Sequence, residues 1–201
     1  GQGREKELFR VDAQPGIPLR VTLDVDLQLE AERLLADVGP ASAIVAVRPS
    51  TGDILAAANG PGTNGYNMAT YGQFAPGSTF KAIRASAGLR NKVIDEHQIR
   101  VCPGFFRLGK SVWRCFNRGG HGPIALVKAL QYSCDAYFYS VGYDLGPDRL
   151  AETARLFGFG SRTGLDLDRE TPGGMPDRNY YVRRFGAYTP GLVVNNAIGQ
   201  G

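Results

Sequence analysis

Apolar residues recur along this chain with two different periods, and the changes between them divide it into elements. After Asp26, the residues Leu27, Ala31, Leu34 and Leu35 return at the intervals that line one face of a helix, with Asp26 as its cap and Gly39-Pro40 as its stop. Residues 42–47 and 53–58 read as strands, and Pro49-Ser50-Thr51-Gly52 between them has the residue types of a tight turn, so a hairpin is expected. Gly, Asn and Tyr dominate residues 60–77, which read as a loop. Helical spacing resumes over residues 78–89 through Phe80, Ile83, Ala87 and Leu89. An irregular segment is expected over residues 95–122, followed by helices at 124–132, 135–145 and 147–157, the last with proline in its first turn, where no N–H is needed. Residues 1–20, charged and then rich in Pro and Gly around Gln14-Pro15-Gly16-Ile17-Pro18, read as a junction into a domain over residues 21–201.

Composition excludes several classes. Of 201 residues, 43% are hydrophobic and 21% charged, which is ordinary globular composition with material for a substantial core and not that of a disordered chain. The formal charge of +4 is spread over scattered arginines, the pattern of a solvated surface and not of a nucleic-acid-binding face. No run approaches the roughly twenty apolar residues that span a bilayer, and Gly1-Gln2-Gly3-Arg4 does not begin a signal peptide, so this segment is expected to be soluble.

The chemistry concentrates in two places. In Ala75-Pro76-Gly77-Ser78-Thr79-Phe80-Lys81, Ser78 and Lys81 stand three apart at a helix start and share a face. A serine needs a neighbouring base to become a nucleophile, and a lysine supplies one when burial or nearby positive charge favours its neutral form. The same spacing also arises where a serine caps a helix and the lysine lies on the surface. Further along, Tyr132-Ser133-Cys134-Asp135 places a second hydroxyl two residues from a carboxylate between helical segments.

In this order, the run from Pro76 to Lys81 followed by Ser133-Cys134-Asp135 resembles the transpeptidase domain of penicillin-binding proteins. Residues 21–28, 46–56 and 197–201 are similar to the same family, so the resemblance covers the chain from about Pro15 onward. Arg118-Gly119-Gly120-His121-Gly122, with Asp135 where the second motif more usually has Asn, resembles the elongation-type class B branch, penicillin-binding protein 2. The resemblance implies a mixed α/β (α+β) fold of the penicillin-binding protein/β-lactamase type with an antiparallel sheet. It also implies a reaction. Ser78 attacks the carbonyl between the two terminal D-alanines of a stem peptide, and an amine from a neighbouring stem resolves the acyl-enzyme. Lys81 is then the base, Ser133 relays a proton to the leaving amine, and Asp135 holds Lys81 and the substrate amide while favouring protonated Lys81 more than Asn does. The oxyanion meets the Ser78 N–H and a second N–H from a strand carrying the family's third motif, Lys-Thr-Gly. That motif is not among these residues, so the chain is expected to be an N-terminal portion of its domain. β-Lactams, which mimic the D-Ala-D-Ala terminus, are expected to acylate Ser78.

All three cysteines and one of the two histidines fall in a C-x12-C-x5-H-x12-C arrangement: Cys102, Cys115, His121 and Cys134. Three thiolates and an imidazole complete a tetrahedral zinc set, and some penicillin-binding protein 2 enzymes resemble this closely. A Cys102–Cys115 disulfide is the competing reading, and it leaves Cys134 unexplained. Such a zinc is structural, and because Cys134 stands between Ser133 and Asp135 it fixes both. His97 is expected on the surface.

The family resemblance further implies peptidoglycan stem peptides and β-lactams as ligands, RodA and MreC as partners, no nucleic acid, and a place at the extracytoplasmic face of the cytoplasmic membrane. Two rivals stay open: a serine β-lactamase or β-lactam sensor, and a non-catalytic wall-binding module.

Overall fold

The computed structural model describes residues 9–14, 16–167 and 170–200. Residues 1–8 and Pro15 of the expected junction, and Gly201 of the family-like 197–201 stretch, lie outside the described residues. The chain forms two compact units, one up to Thr70 and one from Tyr71.

In the first unit α1 (Val25–Leu35) precedes β1 (Ala43–Val47) and β2 (Ile54–Asn59), and the last residue of the short α2 (Met68–Tyr71) is the first of the second unit. The hairpin forms as read, antiparallel with Ile44 opposite Ala58 and Val45 opposite Ala57. The helix begins earlier than its periodicity indicates. Asp24, not Asp26, is the cap: its carboxylate accepts the Leu27 N–H at 3.1 Å. The Asp24 N–H donates to the Leu55 carbonyl at 2.8 Å, so the β2 edge selects the cap residue. Of the four periodic residues only Ala31 and Leu35 are buried, against Ala58 with Val38 and Ile44 alongside, while Leu27 and Leu34 are exposed.

The second unit contains α3 (Phe80–Arg90), β3 (Arg100–Cys102), β4 (Phe105–Leu108), β5 (Ser111–Arg114), β6 (Gly122–Ile124), α4 (Leu126–Gln131), α5 (Asp135–Leu156), α6 (Arg178–Phe185) and α7 (Pro190–Asn196). The two helices expected over 135–157 are present: within α5 the non-helical Gly146, with φ of 75° and ψ of 170°, separates one from the other just before Pro147. The segment expected to be irregular is instead two antiparallel pairs, β3 with β6 and β4 with β5. Strands of three or four residues are too short to show alternation, and the partner of β3 lies beyond the intervening β4–β5 hairpin.

The core of this unit lies where α3 runs along α5. Gly88 makes the close approach possible, since a Cβ there would stand 2.8 Å from Ile94 and 3.2 Å from Val141. Phe80, Ala87, Leu145, Leu150 and Ala154 form one buried cluster, and Ala85, Phe138 and Val141 join the three cysteines in another. Arg84 departs from the solvated-arginine expectation: it is fully buried, and its guanidinium nitrogens have no hydrogen-bond partner among the described residues. Burial pulls its pKa down to about 9. The guanidinium occupies space left by Gly142 on α5, where a Cβ would come within 1.8 Å of one of its nitrogens. Gly142→Ala is therefore expected to cost about 1–3 kcal/mol by overpacking. Adding Arg84→Met is expected to restore the loss, because an apolar chain of similar volume carries no uncompensated charge. Chemical denaturation of the single and double variants checks both.

Candidate active site and an adjoining cysteine cluster

The nucleophile candidate sits on a turn, not inside a helix. Gly77 to Thr79 form a 3-10 turn that runs into α3, and Gly77 adopts a left-handed φ of 57° that glycine tolerates. Ser78 is exposed. Lys81, one turn on, is 2% exposed and reaches four oxygens: Ser78 Oγ at 3.1 Å, Ser133 Oγ at 2.9 Å, the Ser133 carbonyl at 2.8 Å and Asp135 Oδ1 at 2.5 Å. An ammonium has three N–H groups to share over these four acceptors. Once it gives up a proton, its lone pair faces a hydroxyl that has one to lose.

The opposite wall comes from the turn between α4 and α5. Ser133 has a left-handed φ of 49°, rare for a residue with a side chain, and this brings both its carbonyl and its hydroxyl to Lys81. Asp135 is the first residue of α5, where a carboxylate meets the positive end of the helix dipole. Its second oxygen accepts the Phe116 N–H at 2.9 Å. No sequence signal pointed to Phe116; it is recruited through its backbone. The helix-capping alternative does not describe these side chains. No cap bond from a side chain starts α3, and the α5 cap is Cys134 Sγ, which accepts the Tyr137 N–H at 3.5 Å.

The cysteine cluster adjoins this wall. Cys102 ends β3, Cys115 follows β5, His121 precedes β6 and Cys134 caps α5, and their four ligating atoms lie within 4.8 Å of one another. His121 Nδ1 stands 3.6 Å from Cys102 Sγ and 3.7 Å from Cys115 Sγ. His121 is stacked on Tyr132 at 6.0 Å between centroids, which holds the imidazole in place. All three cysteines are free and buried, so the Cys102–Cys115 disulfide is absent from this structure. Burial above all pushes the Cys134 thiol up.

A cavity of about 650 Å³ borders the nucleophile turn through Pro76 and Phe80 and is lined further by Phe74, Phe159, Tyr181 and Asn196. None of Ser78, Lys81, Ser133 and Asp135 lines it.

A hydroxyl, a buried amine, a second hydroxyl and a carboxylate gathered where α3 and α5 begin have the chemistry that a serine acyl-transfer centre needs. The chain belongs to the penicillin-binding protein transpeptidase family, whose domain model matches residues 42–199. It is 35% identical over 222 residues to the peptidoglycan D,D-transpeptidase MrdA of Acinetobacter baumannii, across 98% of this chain and 33% of that protein. Similar solved structures include Pseudomonas aeruginosa PBP2 in complex with WCK 5153, with a TM-score of 0.82 and 34% identity over 90% of this chain and 47% of that one. Another is Helicobacter pylori PBP2 in a complex with MreC, with a TM-score of 0.82 and 30% identity over 89% of this chain and 38% of that one. The mixed fold with small antiparallel sheets is thus that of penicillin-binding protein transpeptidase domains. The chain spans about a third of the length of the curated relatives it matches. Among the described residues no helix is long and apolar enough to cross a membrane.

Proposed function

We propose that this chain forms part of a peptidoglycan D,D-transpeptidase of the elongation type, with Ser78 as nucleophile and Lys81 as its base. The observation that carries the reading is the buried Lys81 amine within hydrogen-bond distance of Ser78 Oγ, Ser133 Oγ and Asp135 Oδ1. Ser78 Oγ adds to the penultimate D-alanine carbonyl as its proton passes to Lys81. The tetrahedral oxyanion lies at the Ser78 N–H, at the head of the turn that opens α3. Ser133, bonded to Lys81, delivers the proton to the departing D-alanine amine, leaving the acyl group on Ser78. The incoming amine of a second stem peptide reverses the same proton path and releases the cross-linked product. A β-lactam enters at the first step and stays, because its leaving group remains tethered.

The cysteine cluster fits zinc. Bond lengths to thiolate and imidazole give tetrahedral edges of about 3.5–3.8 Å; two of the three sulfur-to-imidazole separations, 3.6 and 3.7 Å, match them, and all four ligand atoms lie within 4.8 Å of one another. With Cys102, Cys115, His121 and Cys134 as ligands no position would be left for water, so the ion would be structural. It would tie the β3–β6 segment to the second motif, and the Phe116 N–H beside Cys115 would pass that order on to Asp135. The MreC complex of a relative and the family resemblance support MreC and the polymerase RodA as partners, at the extracytoplasmic face of the cytoplasmic membrane.

Fluorescent penicillin added to the intact protein tests the reading. The expected result is one covalent label per chain, long-lived, and absent in Ser78→Ala. A label that turns over within seconds would instead identify a β-lactamase, and no label would identify a wall-binding module; either outcome overturns the proposal.

A further inference from the structure

We infer that Gly199 is a positioning residue for the nucleophile, acting through the backbone of Gly77. The inference rests on the acyl-transfer reading above. Within its own element little beyond the bond from Thr79 Oγ1 to the Pro76 carbonyl at 2.6 Å fixes the turn: Ser78 is exposed, no side chain caps the turn, and the residue before it is a glycine in a left-handed conformation whose added Cβ would meet nothing. What fixes Gly77 comes from elsewhere in the chain. Its N–H donates to the Gly199 carbonyl at 3.1 Å. Gly199, itself at a φ of 70°, lies so close that a Cβ would stand 2.8 Å from the Gly77 nitrogen and 3.0 Å from its carbonyl carbon. Those contacts are with backbone, which cannot rotate away as a side chain can.

The turn bearing Gly199 is in turn immobilised. It follows α7, in which Val193 and Val194, like the capping Ala197, are fully buried. Val194 and Ala197 pack with Tyr139 of α5, and Phe106 and Trp113 of the β4–β5 hairpin lie against them. Trp113 Nε1 donates to Asn195 Oδ1 at 2.7 Å, and Asn196 donates to the Tyr181 hydroxyl. The bond from Gly77 to Gly199 anchors the Pro76–Gly77 peptide to the turn after α7, and the close approach of Gly199 to the Gly77 carbonyl confines the next peptide, which carries the N–H proposed to meet the oxyanion. Its orientation also sets the 3.1 Å approach of Ser78 Oγ to Lys81. A displacement near 1 Å at such a centre costs about a hundredfold in rate.

The test compares Gly199→Ala with Gly158→Ala in the intact protein. Gly158 has a φ of 86° and nothing within 4 Å of a would-be Cβ, so it carries the same left-handed strain without the clash. Penicillin acylation is followed over a concentration range to separate the maximal rate from the half-saturating concentration, with thermal melting alongside. For Gly199→Ala we expect the maximal rate to fall about a hundredfold while the half-saturating concentration moves less than about threefold; Gly158→Ala should lower melting but leave the rate near that of the parent. Should Gly199→Ala not fold, Trp113→Phe, which removes the bond to Asn195 and trims the ring packed beside α7, must lower the maximal rate while the protein stays folded at the assay temperature. A parent protein that takes no label overturns the acyl-transfer reading itself. A parent that labels while Gly199→Ala labels as fast, or while an unfolded Gly199→Ala is joined by an unaffected Trp113→Phe, overturns this inference alone.

Discussion

Lys81→Met is expected to slow penicillin acylation of the intact protein by a thousandfold or so, within the range of about 10²–10⁴ that a positioned proton acceptor contributes. Methionine nearly preserves the length and apolar stem of lysine but offers no lone pair of comparable basicity, so Ser78 must lose its proton to water. The substitution also has a structural consequence. Asp135 is 8% exposed and keeps only the Phe116 N–H after Lys81 is gone, and removing one partner of a buried ion pair typically costs about 3–5 kcal/mol. The two effects separate in the double variant Lys81→Met/Asp135→Asn, in which no carboxylate is stranded. Melting should recover in the double variant while acylation stays slow. If the double variant acylates at the parental rate, Lys81 is a structural partner of Asp135 and not the base.

Cys102→Ser is expected to have the next largest effect, and on a different quantity. The parent should carry about one zinc per chain, and the variant should lose it, because a serine hydroxyl stays protonated at neutral pH and does not replace a thiolate. Structural zinc binding is folding free energy in part, so stability should fall by several kcal/mol, on the order of a third of the apparent value in zinc-finger peptides. Acylation should slow as well, through a chain of contacts that can be named: Cys115 precedes Phe116, whose N–H holds Asp135, and Cys134 lies between Ser133 and Asp135. Elemental analysis, thermal melting and acylation rate give three independent readings. Unchanged metal content together with unchanged melting would remove the zinc proposal. Chelation of the parent should reproduce the melting change, and mass analysis under non-reducing conditions should find no Cys102–Cys115 crosslink.

The parts of the site legible in advance were those whose geometry is local. A residue three places along a helix comes back to the same face whatever surrounds it, so Ser78 and Lys81 were bound to meet. The hairpin followed from its turn residues, and the break in α5 from Gly146-Pro147, since both are properties of a few consecutive residues. The cap of α1 was misplaced by two residues because Asp24 and Asp26 are equivalent as sequence, and only the bond from Asp24 to β2 distinguishes them. The four short strands around the cysteines went unread for a related reason: β3 pairs with a segment beyond an intervening hairpin, and three residues carry no period.

By itself, then, the order of residues determined the family, the meeting of Ser78 with Lys81 proposed as nucleophile and base, and the four residues proposed as zinc ligands, because each is written in short motifs or in a recognisable spacing. Tertiary structure alone decided that Arg84 is inside, that a backbone N–H of Phe116 serves Asp135, and that Gly199 meets Gly77. These depend on close packing between segments far apart in the chain. Backbone groups, present at every non-proline residue, leave no mark in sequence until the fold places them within a hydrogen bond of one another.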